Sequence, residues 1–400
     1  MYNIRKVTDD ITWIGASDRR LALFENIFPI SRGVSYNSYI LLDEQTVLFD
    51  TVDASVAGQF FENLEAVLEG RTLDYLIVNH MEPDHCAMIG DIVRRYPDVK
   101  IVGNTKTFGM MNQFFGTDFA ERSIVVKEGD TLSAGKHTLH FVMAPMVHWP
   151  EAMVTYDDVD KVLFSADGFG SFGALNGNIF ADEVDFDRDW LDDARRYYTN
   201  IVGKYGASVQ TLLKKAAGLD IAMICPLHGP VWRENLPYIL KKYQKWSTYE
   251  AEDQAVVIMY ASMYGNTASA ADALAGALAV RSVKKIAVYD VSNTHVSELI
   301  SEIFRASHLV FAVPTYNAGI YPVMENLLSD MKALAVQKKT VAVMENGTWA
   351  PTAAKQVKEK LGEMKDMTIL DAGLTIKSAM HAGQKAELDA LADEIVKSMM

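Results

Sequence analysis

Short apolar runs, each closed by turn-forming or polar residues, recur along the whole chain, but their arrangement changes near residue 250. Before that point, SYNSYILLDEQTVLFDTVD (35–53) predicts two strands around an Asp-Glu-Gln turn, followed by a helix over 54–69 and a strand over 73–80. Further strands are predicted at 100–104, 137–145, 161–167 and 221–228, and several of them end on a histidine or an aspartate. Beyond residue 250 the pattern becomes regular, with apolar segments at 256–260, 284–291, 308–316, 339–346 and 367–376 separated by helical stretches. Strands alternating with helices in this way predict an open, doubly wound, five-stranded parallel sheet covered on both faces, and so an α/β protein. The polar, charged and aromatic stretch 241–254 places the boundary at about 249–254, giving domains 1–249 and 250–400.

Composition supports a division into domains. Four hundred residues with 49% hydrophobic content exceed what one core organises. The N-terminal MYNIRKVTDDITWIG lacks the unbroken apolar stretch of a signal peptide, and no segment is long and apolar enough for a membrane span, so a cytoplasmic protein without a membrane partner is expected. Two cysteines, Cys86 and Cys225, supply no disulfide framework and read as small buried residues. The net charge of −14 and the absence of a basic, aromatic-rich tract exclude nucleic acid as an expected partner. An anionic cofactor is still compatible with this charge, because backbone N–H groups at a helix N-terminus hold phosphate.

The densest chemistry is NHMEPDHCAM (79–88), where His80, Glu82, Asp84 and His85 crowd the end of an apolar strand. His148, Asp167 and His228 lie at or beyond the ends of other predicted strands. A lone histidine at a strand end is usually a hydrogen-bonded structural residue. Acidic groups and imidazoles packed on one short loop, in contrast, require a neutralising cation. The H-x-E-x-D-H segment resembles the metallo-β-lactamase superfamily, whose zinc hydrolases carry a histidine where Glu82 stands. An extra carboxylate favours a harder, redox-active metal such as iron.

The segment after the first strand of the second domain, YASMYGNTASAADAL (260–274), combines small and hydroxyl residues with a helix start, suited to a terminal phosphate. Two more loops, PTYNAGIYP (314–322) and ENGTWAPT (345–352), follow neighbouring strands at the rim where such sheets bind ligands. Together they resemble the three flavin-binding loops of flavodoxins. The resemblance implies FMN held by Ser262, Met263, Tyr264, Gly265, Asn266 and Thr267, by Pro314, Thr315, Tyr316, Asn317, Ala318 and Gly319, and by Asn346, Gly347, Thr348 and Trp349. The third loop departs from the serine-glycine-tryptophan forms of that family. The absence of G-x-G-x-x-G after the first strand favours FMN over a dinucleotide.

With both parts in one chain, the sequence resembles the flavodiiron proteins, also called A-type flavoproteins or rubredoxin:oxygen oxidoreductases. The resemblance implies a metallo-β-lactamase-like αββα sandwich followed by a flavodoxin-like domain. It implies two non-haem irons, one held by His80, Glu82 and His148, the other by Asp84, His85 and His228, with Asp167 as the bridge. His85 is the assignment on which family members differ. Phe24, Glu25 and Tyr197 or Tyr198 resemble the lining of the family's diiron pocket, with Tyr197 preferred. The implied activity is reduction of dioxygen to water or of nitric oxide to nitrous oxide. Electrons would arrive through FMN from rubredoxin or a similar small donor, in a head-to-tail homodimer or a dimer of dimers. Two other classes fit part of the pattern: a dizinc hydrolase fused to a flavodoxin domain, and a pure flavin electron carrier.

Overall fold

The computed structural model describes all 400 residues. They form two compact units, Met1–Tyr198 with Ala207–Gln244 and Thr199–Gly206 with Lys245–Met400. In the first unit two sheets face one another. One has seven strands in the spatial order Arg5–Lys6, Ile11–Trp13, Tyr39–Leu42, Thr46–Phe49, Tyr75–Ile77, Lys100–Gly103 and Ser123–Val125. The first four of these pair antiparallel and the rest parallel. The other sheet runs Thr131–Ser133, Thr138–Met143, Met153–Asp157, Val162–Phe164 and Met223–Cys225. The Phe49 and Phe164 rings stack at 3.7 Å between the sheets, inside a core that also takes in Tyr39, Val47, Phe141 and Met153.

The direction of the strands matters for function. Thr138–Met143 and Val162–Phe164 both run antiparallel to Met153–Asp157, and Met223–Cys225 runs parallel to Val162–Phe164. Three of these strands therefore end at one rim, and the residues just beyond them, His148, Asp167 and His228, converge there. The central strand Met153–Asp157 is absent from the pattern-based reading. Its five residues are all buried, so both faces are covered, and the alternation that marks a half-exposed strand does not arise.

The second unit has five parallel strands: Asp253–Tyr260, Ile286–Asp290, Ala306–Tyr316, Thr340–Asn346 and Thr368–Ile376. Their spatial order is second, first, third, fourth, fifth. That is the flavodoxin-like doubly wound arrangement, which opens a ligand crevice at the C-terminal ends of the first and third strands. One short addition departs from the five-strand expectation. Gly319–Ile320 folds back antiparallel on Thr315–Tyr316 through Asn317 and Ala318, both at positive φ (48° and 60°), the geometry of a tight type I′ hairpin. The strands of this unit are apolar along most of their length, and those at the centre of the sheet are buried on both faces, as helices on both sides require.

Candidate metal centre and flavin pocket

His80 and the short helix Pro83–Cys86 follow the strand Tyr75–Ile77, and Pro83 at the first helical position starts that helix. Thr51 ties it down, its backbone N–H and its hydroxyl both donating to the His85 carbonyl at 2.9 and 2.7 Å. His228 is held through its neighbours. Asn37 donates to the carbonyls of Pro226 and Gly229 at 2.9 and 2.8 Å, and the Tyr39 hydroxyl donates to Pro226 at 2.7 Å. Gly229 sits at φ +73°, where a Cβ would lie 2.8 Å from the Ser171 side chain, so this turn accepts only glycine.

All seven predicted ligands come together, in two groups. His80, Glu82, His148 and Asp167 have their ligand atoms within 4.8 Å of one another, as do Asp84, His85 and His228. The Asp167 carboxylate connects the groups. Its Oδ2 is 3.1 Å from His148 Nε2 and 3.4 Å from His80 Nε2, while its Oδ1 is 3.1 Å from His85 Nε2 and 3.8 Å from His228 Nε2. Glu82 Oε2 lies 3.0 Å from His148 Nε2 and 3.3 Å from His80 Nε2. Asp84 Oδ2 lies 3.2 Å from His228 Nε2 and 3.4 Å from His85 Nε2. A metal with ligands at roughly 2.0–2.2 Å holds neighbouring ligand atoms about 3 Å apart, so these spacings are those of two coordination polyhedra sharing one carboxylate.

The electrostatics agree with the geometry. Burial opposes charge on His80 and His148, yet the facing carboxylates, Asp167 foremost, raise the first well above its ordinary value and push the second up to about 9. Asp167 is displaced the other way: burial alone would raise it, and the surrounding histidines hold it well below the usual carboxylate range. The site demands positive charge. Both Asp84 oxygens, Asp167 Oδ1 and His85 Nδ1 are buried without a hydrogen-bond partner, an arrangement that is costly unless cations occupy it.

Sequence reasoning missed the residues that aim these ligands. Glu151, fully buried, accepts from His80 Nδ1 at 2.9 Å and from the Met81 N–H at 2.8 Å, which directs His80 Nε2 into the site. Ser35 O does the same for His228 Nδ1 at 2.7 Å. Asp50 accepts from the N–H groups of Asn79 and His80 at 2.7 and 3.1 Å. Only the position of Asp50 at a strand end gave a signal. Glu151 comes into the site through the fold and not through spacing.

Phe24 is buried edge-on to His228 at 5.5 Å, and the Tyr197 ring lies 5.4 Å from His228 and 5.2 Å from Phe172. The Tyr197 hydroxyl is buried without a hydrogen-bond partner, whereas Tyr198 packs on Tyr243 at 5.0 Å. Glu25, in the turn beyond Phe24, is exposed as a whole residue, yet its carboxyl faces Glu82, and burial together with that neighbouring carboxylate pushes it up to about 7. Both cysteines are buried, and burial pushes the Cys86 thiol up to about 12 and the Cys225 thiol higher still, so neither offers a thiolate. A third group of His137, Asp10 and Asp160 is already served by Lys136, whose ammonium is 3.0 Å from Asp10, and by Asp157, 2.9 Å from His137 Nδ1.

In the second unit a cavity of about 600 Å³ opens at the sheet's C-terminal rim. Of the sixteen residues predicted to bind FMN, all but Gly265 and Gly319 line it, joined by Ala350 and Ser378. None of the lining residues is charged, so phosphate binding there falls to backbone N–H groups and hydroxyls at the start of the helix Asn266–Val280. Tyr264 and Trp349 are 91% and 90% exposed, which leaves both rings free to stack on a planar ligand. Thr315 acts first on the protein itself: its hydroxyl accepts the N–H groups of Thr352 and Ala353 at 2.9 and 3.2 Å, tying the second loop to the third.

Residues 34–229 match the family described as ODP family beta lactamase, and residues 258–394 match Flavodoxin. The chain is 32% identical over 391 residues to an anaerobic nitric oxide reductase flavorubredoxin of Salmonella typhi, covering 96% of this chain and 79% of that protein. The Klebsiella pneumoniae flavorubredoxin is 31% identical over the same length. Among solved structures, the rubredoxin oxygen:oxidoreductase of Desulfovibrio gigas superposes with a TM-score of 0.91 at 29% identity, covering 99% of this chain and 98% of that one. The flavodiiron protein of Giardia intestinalis shares the fold with a TM-score of 0.93 at 24% identity. This chain belongs to the flavodiiron protein family. It is an oxidoreductase, with a flavodoxin domain that indicates FMN and the family's diiron centre as its second cofactor. No helix is long and apolar enough to cross a membrane.

Proposed function

We propose that the protein reduces dioxygen to water, nitric oxide to nitrous oxide, or both, with electrons entering at FMN from rubredoxin or a similar small redox protein. The carrying observation is the Asp167 carboxylate, whose two oxygens face two separate His/carboxylate groups. His80, Glu82 and His148 would hold one iron, Asp84, His85 and His228 the other, with Asp167 between them. His85 is included because its Nε2 lies 3.0 Å from His228 Nε2, a distance that suits two ligands of one ion.

When bound, the iron pair would supply open coordination positions for a small gas, and FMN would supply one-electron chemistry. The chain's own residues do the rest. Glu151 and Ser35 O fix which imidazole nitrogens face the site. Phe24, Phe172 and Tyr197 form an aromatic wall beside His228, and burial together with the charges of Asp167, Glu82 and Asp84 keeps the Tyr197 hydroxyl protonated. In the second unit, residues 262–267, 314–319 and 346–349 would bind FMN. We further propose a head-to-tail homodimer, or a dimer of such dimers, in the cytoplasm.

The test is iron and FMN content per chain in anaerobically prepared protein, followed by O2 and NO consumption with reduced rubredoxin. About two irons and one FMN per chain with turnover of either gas supports the reading and ranks the gases. Zinc in place of iron after iron-replete growth, or full cofactor loading with no gas consumption, refutes it.

A further inference from the structure

The three predicted flavin loops do not complete the cavity. Ser378, from the segment that follows the last strand, lines it as well. This serine sits at φ +72°, a backbone state that a non-glycine residue keeps only when its surroundings impose it. Asn346 imposes it. Its Oδ1 accepts the Ser378 N–H at 3.1 Å and its Nδ2 donates to the Ser378 carbonyl at 3.0 Å, so one amide grips both backbone groups of one residue. The grip leaves the Ser378 hydroxyl 3.1 Å from the Thr348 hydroxyl, in the middle of the third loop and next to the exposed Trp349. Gly347 N–H donates to Ile376 O at 2.9 Å and closes the same segment from the other side. All of these bonds are internal to the protein, so the shape of the third loop is set before any ligand arrives.

We propose that Ser378 is a further positioning residue of the flavin pocket: through its hydroxyl pair with Thr348 it holds the third loop, and with it Trp349, in the shape that receives the isoalloxazine ring. This rests on the FMN reading above and deepens it. The link from Asn346 to the phosphate loop is a separate bond, Nδ2 to Thr267 Oγ1 at 3.3 Å, which does not pass through the Ser378 hydroxyl. The serine therefore acts on the ring side of the ligand and not on its phosphate. Ordering the loop beforehand lowers what binding must spend on ordering it.

The experiment measures dissociation constants of FMN and of riboflavin, which lacks the phosphate, by quenching of flavin fluorescence on flavin-free full-length protein. Variants are Ser378→Ala, Ser378→Gly, Thr348→Val and the double Ser378→Ala/Thr348→Val, each first compared with wild type by thermal unfolding. Ser378→Ala and Ser378→Gly are expected to weaken both flavins by the same factor, about fivefold, the worth of one neutral hydrogen bond. Glycine relieves the positive φ but still lacks the hydroxyl, so it should match alanine. The double variant is expected to bind no more weakly than Thr348→Val alone, because the two hydroxyls act as one contact. Unchanged binding, a loss confined to FMN, or additive losses in the double variant would overturn the proposal. Wild-type protein that binds neither flavin would remove the FMN reading itself, and the role of Ser378 with it.

Discussion

Replacing Glu151 with glutamine tests whether the metal site depends on a residue that is not itself a ligand. Glu151 Oε1 accepts two hydrogen bonds, from His80 Nδ1 at 2.9 Å and from the Met81 N–H at 2.8 Å, and the residue is 1% exposed. Glutamine is nearly isosteric, so the change removes charge and leaves the packing. A hydrogen bond to a charged acceptor contributes about 1.5–3 kcal/mol and a neutral one about 0.5–1.5, so each bond loses about 1–1.5 kcal/mol. The Met81 bond is present with or without metal, and its loss shows in folding stability alone. The His80 bond strengthens as the imidazole becomes a ligand, so its loss shows as about tenfold weaker binding of one ion, at the low end for residues that orient metal ligands. Anaerobic competition against a ferrous chelator, fitted to two sites, measures this directly. The ion assigned to His80, Glu82 and His148 should weaken about tenfold while the other changes less than about twofold. Equal weakening of both ions, or of neither, would refute the assignment of Glu151 to His80.

Other contacts carry further expected outcomes. In metal-free protein His148 has its pKa raised from 6.5 to about 9, because the carboxylates outweigh the opposing effect of burial. A group raised on folding stabilises fully below its unfolded value and loses this as pH rises through the folded one, so chelator-treated protein should lose stability between about pH 6.5 and 9. Iron uptake should strengthen across the same window, since the imidazole proton must leave, and unfolding temperatures with and without iron across that range check both signs. Thr315→Val leaves the Thr352 and Ala353 N–H groups without their acceptor, which should cost about 1–2 kcal/mol in denaturant unfolding and weaken FMN binding together with it. Phe164→Ala removes the ring stacked on Phe49 between the two sheets and should cost about 3–5 kcal/mol, with a matching fall in the unfolding midpoint.

Much of this protein follows from sequence alone because its signals are local. Apolar runs of strand length, separated by helical stretches, are enough to define the parallel sheet of the second unit, since strands buried on both faces leave few polar interruptions. The H-x-E-x-D-H segment is legible for a similar reason: His80, Glu82, Asp84 and His85 share one turn, and their crowding is itself the evidence of a cation. What the tertiary structure alone decides is convergence. His148, Asp167 and His228 lie far apart in the chain, and they reach one rim only because their three strands run in the same direction, an arrangement that depends on Met153–Asp157 between two of them, a strand that periodicity does not reveal. Glu151 and Ser378 belong to the same class. Neither carries a spacing signal, and each matters because folding buries or bends it against a residue that does, Glu151 against His80 and Ser378 against Asn346. Local chemistry can be read along a chain, but the hydrogen bonds that aim it join residues brought together only when the sheets close.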